Sequence, residues 1–120
     1  MRKHKVSPLE SIEIDFRDRK LIFTFDMLSI NKLQNEFGAL EKIAQEKSEL
    51  ELAGIILWSG IKDIDLTVEE AQVIICSDAM LLKDVLDVTF DSIIKIGGKE
   101  NEKKLLEEIE KIIKKMKLKE

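Results

Sequence analysis

Tyrosine is absent from this 120-residue chain, and cysteine, histidine, proline and tryptophan occur once each. The lone Cys76 excludes a disulfide framework within the chain and suits a reducing compartment. It follows Val73-Ile74-Ile75, so the expectation is a buried structural thiol. His4 sits in a basic lead with no second ligand nearby and carries no site. With five Phe and one Trp as the only aromatics, Ile and Leu must fill the interior. No apolar run reaches the length of a membrane span. Met-Arg-Lys-His-Lys-Val lacks an apolar signal core, so secretion by that route is not expected.

Chemical signatures are equally scarce. There is no Gly-rich phosphate loop, no His–carboxylate constellation and no Cys/His metal spacing. Asp63-x-Asp65 lacks the glycine and terminal glutamate of an EF-hand. Glu69 and Glu70 read as favourable charges at a helix start. Ser59 lies in Trp-Ser-Gly without a candidate base. The expectation is a protein that is not an enzyme, with no catalytic, cofactor or metal site.

The net charge of −4 hides a pattern. Residues 1–8 hold three basic residues and no acidic one. Residues 9–98 hold 9 basic and 18 acidic, a charge of −9, and residues 99–120 hold 8 basic and 6 acidic. An acidic body argues against nucleic acid, which needs a concentrated basic face. The basic ends read as solvated flanks.

What is present is helical and hairpin periodicity around one apolar stretch. Leu50 to Ile61 is the least polar run. Ser48 and Glu51 have capping-box spacing, with the Glu reaching back to the cap N–H. Leu50, Gly54, Leu57 and Ile61 share one side and Leu52, Ile55 and Ile56 largely the other, so this helix needs cover on two sides. Trp58 lies at the edge of the first stripe, its indole N–H directed to water or a carbonyl. Gly54 and Gly60 suggest close approach of a neighbouring helix, Gly60 also the helix exit.

Upstream, residues 9–25 alternate. Ile12, Ile14 and Phe16 face one way against Glu13 and Asp15, and Leu21, Phe23 and Phe25 repeat the pattern after Arg17-Asp18-Arg19-Lys20. This predicts a β-hairpin with one buried face and an undetermined turn type. Asp26 is placed to cap a helix over 27–37 with Met27, Ile30, Leu33 and Phe37 inward and Gly38 ending it. Leu40, Ile43 and Ala44 predict further turns to Lys47. Downstream, Thr67 and Glu70 open a helix to about Cys76 with Val68, Ala71, Ile74 and Ile75 inward. A restart at Ser77 or Asp78 runs to about Ile96 with Leu82, Leu86, Phe90, Ile93 and Ile94 inward. These are two helices or one long bent helix.

Gly97-Gly98 reads as a hinge. Beyond it, Leu105, Ile109, Ile112 and Met116 form a narrow amphipathic stripe on a charged helix over 99–120. A helix this short needs a surface, whether its own body, a copy of itself or a partner. The fold class is thus α+β, mainly α. The division is a basic lead (1–8), a hairpin on four to five helices (9–96), the hinge (97–98) and a charged amphipathic helix (99–120).

The order of features also carries information. A hairpin ends in Phe25-Asp26, and a helix ends at Phe37-Gly38. An apolar helix carries Leu57-Trp58-Ser59-Gly60, and Leu66-Thr67-Val68-Glu69-Glu70 opens the next. Over about residues 10–96 this resembles the tail assembly chaperones of long-tailed (siphovirus-type) phages and prophages. The resemblance implies a non-enzymatic protein of the host cytoplasm, absent from the mature virion. Such proteins bind and solubilise the tape-measure protein, help recruit the tail-tube protein, and often form homo-oligomers. Trp58 and the tail stripe (Leu105, Ile109, Ile112, Met116) are the candidate protein-interaction residues. The competing reading is a helical adaptor or regulatory module with an unrelated partner.

Overall fold

The computed structural model describes residues 2–4 and 8–96. Two strands, β1 (Ile12–Phe16) and β2 (Arg19–Phe23), precede α1 (Met27–Phe37), α2 (Leu40–Glu46), α3 (Glu49–Gly60) and α4 (Val68–Cys76). A fifth helix, α5, covers 79–96. The class is α+β and mainly helical, with the hairpin set on the helices.

The strands are antiparallel, with Ile14 opposite Leu21 and Phe16 opposite Arg19. The period of two puts Leu21 and Phe23 in the core and leaves Ile22 outside, 44% exposed. Arg19 and Lys20 belong to β2, so the turn is the pair Arg17-Asp18 alone. Both have positive φ, 50° and 60°, the mark of a type I′ turn. Arg17 does not favour that conformation, and Asp18 tolerates it less well than glycine would. Arg17 is held by its guanidinium stacking 4.8 Å from the Phe16 ring centroid. Substituting R17N/D18G should therefore stabilise the protein by about 0.5–1 kcal/mol, net of the lost cation–π contact. Urea unfolding at neutral pH measures it, and an unchanged midpoint would mean that the native turn carries no strain.

α3 is the central helix. It packs against β2, α1, α2 and α4. Residues 52–57 are all buried, which answers its two apolar sides. Its exposed Leu50 stands in the first turn, before the helix passes between its neighbours. The Ser48 hydroxyl accepts the Glu51 N–H at 3.3 Å, but the Glu51 carboxylate accepts a hydrogen bond from the Ser48 hydroxyl at 3.1 Å instead of reaching the cap N–H. Only half of the expected capping box forms, and Lys47, 4.0 Å away, draws the same carboxylate.

Gly54 lets α4 approach closely. A Cβ there would lie 2.5 Å from Gln72 Cγ and 3.2 Å from its Cα. Gly60 serves a different neighbour from the one expected: the ring of Phe23 on β2 fills the place of its Cβ. Gly38 ends α1 with φ 91°, a conformation that favours glycine.

Three faces differ from expectation. Met27 is 70% exposed, because the buried line of α1 runs through Ser29 and Leu33. Cys76 is exposed. At 100° per residue it shares a side with exposed Val73, while Ile74 and Ile75 face the core. On α5, the deepest residues are Val85, Thr89 and Ser92, with Leu86, Val88 and Ile93, while Leu82, Phe90 and Ile94 are half-buried. The Thr89 hydroxyl donates to Val85 O at 2.6 Å, so this small polar residue is buried without loss.

α4 and α5 are separate helices. The Asp78 carboxylate accepts the N–H groups of Met80 and Leu81, at 3.0 and 3.2 Å, and caps α5. The Thr67–Glu70 capping box of α4 forms as expected. Gly97-Gly98 and the 99–120 helix lie outside the described residues.

Candidate functional site

Among the described residues, a polar cluster lies where α3 ends. A helix C-terminus presents carbonyls without intrahelical partners and favours cations. α3 has no basic residue in its last turn, and two lysines from elsewhere serve it. Lys32 of α1 donates to Trp58 O at 3.1 Å. Lys62, just past the helix, reaches Gly60 O at 3.4 Å, Thr24 O at 2.7 Å and Ser29 Oγ at 3.0 Å. Its ammonium also lies 3.3 Å from Asp26 Oδ1. One cation thus joins the hairpin exit, the start of α1 and the end of α3.

Asp26 caps α1 in return. Its carboxylate accepts the Ser29 N–H at 3.0 Å, and the Ser29 hydroxyl accepts the Asp26 N–H at 3.2 Å. Burial pushes the Asp26 carboxyl up, but the Ser29 N–H and the Lys62 charge outweigh it and hold the group below its ordinary value. Lys32 is held below its ordinary range by burial, with Asp65 opposing and Lys62 adding.

Trp58 belongs to this cluster. The Lys32 ammonium lies 4.1 Å from its ring centroid and Phe37 meets it edge-on at 5.7 Å. The indole is half-buried within its own chain. The other candidate interaction residues, Leu105, Ile109, Ile112 and Met116, lie outside the described residues.

The sequence did not single out the apolar residues that the fold leaves in solvent. Met27 and Leu28 are 70% and 66% exposed, side by side at the start of α1. Met80, at the start of α5, is 67% exposed. One signal was available for α1: two adjacent apolar residues directly after a cap cannot both face inward when the stripe runs through Leu33.

Chemically, the cluster is a clamp: it holds cations against carbonyls and one carboxylate. Among the described residues no group of three or more His, Cys, Asp or Glu side chains is placed to hold a metal ion. No described helix is long and apolar enough to cross a membrane. Comparison of the chain with protein-family models, curated proteins and solved structures gives no match in any of the three.

Proposed function

We propose that this chain is a tail assembly chaperone of a long-tailed phage or prophage, acting in the host cytoplasm on the tape-measure protein and helping to recruit the tail-tube protein. The reading rests on one observation: the ordered segments of the resemblance fall at element boundaries. Phe25-Asp26 is the hairpin exit and the cap of α1, and Phe37-Gly38 is that helix's end. Trp58-Ser59-Gly60 is the last turn of α3, and Thr67 to Glu70 is the capping box of α4.

Physical chemistry supports the same role. A tape-measure protein exposes long apolar helical stripes. A small acidic subunit with apolar side chains in solvent, such as Met27 and Leu28, can cover those stripes while mutual repulsion keeps coated assemblies apart. Self-association would extend such a coat.

The test is recovery of tagged protein from cells expressing the phage structural genes, with bound proteins identified by mass. The expected result is one very long, helix-rich protein. M27K/L28K should lower its yield by about tenfold, the loss of roughly 1.4 kcal/mol of apolar contact, without changing the far-ultraviolet circular dichroism. Recovery of a different partner and no tail protein would make the chain an adaptor instead.

A further inference from the structure

The outer edge of β1 is an open strand edge with a definite chemical character. The turn closes on Phe16 and Arg19, and the closing pair of a two-residue hairpin exchanges both main-chain hydrogen bonds. Alternation makes Ile14–Leu21 and Ile12–Phe23 hydrogen-bonded pairs too. Asp15–Lys20 and Glu13–Ile22 therefore turn their N–H and C=O groups outward.

Ser11 and Thr24 fix the phase. Their hydroxyls meet at 2.7 Å across the hairpin, and the Thr24 N–H leaves it for Gly60 O at 3.0 Å. Beyond β2 the chain is thus met at Thr24 by the end of α3. On the outer edge of β1, no described residue pairs with the outward main-chain groups of Glu13 and Asp15.

Those two residues also place carboxylates on the solvent face. Lys20, which stands opposite Asp15, answers Glu13 at 2.9 Å from the β2 side, and among the described residues no cation lies within 4.0 Å of the Asp15 carboxylate. On the opposite face, Ile12 and Phe16 are only half-buried and can accept further apolar cover. An antiparallel copy of β1 centred on Ile14 would oppose Glu13 to Asp15 twice, setting like charges face to face. A second β1 is therefore a poor occupant, and a strand with cations in those places is a good one.

We infer that the β1 edge is a docking site for an extended segment of another protein in which basic residues alternate with apolar ones, added as a third antiparallel strand. Its main chain pairs with Glu13 and Asp15, its cations lie beside the two carboxylates, and its apolar residues cover Ile12 and Phe16. This stands independently of the tail-assembly reading, because it concerns the chemistry of the segment, whichever protein carries it.

The probe is a short synthetic peptide of alternating Lys and Ile, titrated into the full chain by fluorescence anisotropy, with amide hydrogen exchange followed by NMR. Binding should slow exchange at the Glu13 and Asp15 amides. Methylating the peptide nitrogens that face β1 should weaken binding by about tenfold or more, since strand addition needs those donors. E13K/D15K, checked for unchanged fold, should lose the Lys-Ile peptide and gain a Glu-Ile one. Equal binding of the methylated peptide, binding without protection of the two amides, or no binding would each overturn the inference. So would protection of the same amides by self-association in the absence of peptide.

Discussion

Gly60→Ala is expected to destabilise the protein by about 2–3 kcal/mol, although alanine is the better helix former. A Cβ on residue 60 would overlap the Phe23 ring, whose Cε1 and Cδ1 occupy that position. Phe23 is fully buried on β2, so its ring cannot swing into solvent. Residue 60 lacks a positive φ, so the cost is steric and not conformational. The hairpin must lift from α3, which also strains the Thr24 N–H to Gly60 O bond at 3.0 Å. Urea unfolding of G60A, F23L and the double variant checks this. Removing the ring tip should restore part of the loss, so the double variant should be more stable than the sum of the singles implies. Additive effects would place the strain elsewhere.

This contact also shows where the sequence stops being informative. Gly60 was legible as a site of close approach, because glycine in an apolar helix has few other uses. Its neighbour was not legible, because Phe23 lies on another element and no period links the two. The same division holds through the fold. Asp26, Ser48 and Thr67 marked helix starts because capping is local chemistry, and all three cap in the structure. The alternation of Ile12 to Phe25 revealed the buried face of the hairpin. Cys76 misled because the apolar run Val73 to Cys76 ignores rotation: four successive helical residues cannot share one face. α5 misled in the opposite sense, since a search for large apolar residues passes over Thr89 and Ser92, which are buried. The candidate site divided in the same way. Trp58 could be picked by type, but Lys32 reaches its carbonyl from α1, and Lys62 links the neighbouring Gly60 to Thr24 and Ser29 across long sequence separations that no local pattern reveals.

Lys62→Met tests what that reach contributes. Methionine keeps most of the stem, so the loss is the ammonium, which lies within reach of two carbonyls, one hydroxyl and the Asp26 carboxylate. The partners are about one-third exposed, so solvent screening applies, and about 1–2 kcal/mol at neutral pH is the expected cost. The pH dependence separates the parts. Asp26 has a folded-state pKa below its ordinary 3.8, despite burial that raises it, because the Ser29 N–H and Lys62 favour the anion. A depressed carboxylate contributes stability that is present above its unfolded pKa and lost as pH falls through the folded value. Glu70, lowered chiefly by the hydrogen bond from Arg19 and then by the Thr67 N–H, acts in the same direction, so the native protein should weaken on acidification below about pH 4. In Lys62→Met the Asp26 anion keeps only the Ser29 support against the same burial, and its pKa rises. The stability gap between native protein and variant should therefore narrow from about pH 7 to about pH 3, while the Glu70 contribution persists in both. Urea midpoints across that range measure the gap. A gap constant with pH would show that Lys62 acts through the Thr24 and Gly60 carbonyls and the Ser29 hydroxyl, and the Asp26 pair would then contribute nothing to joining hairpin and helices.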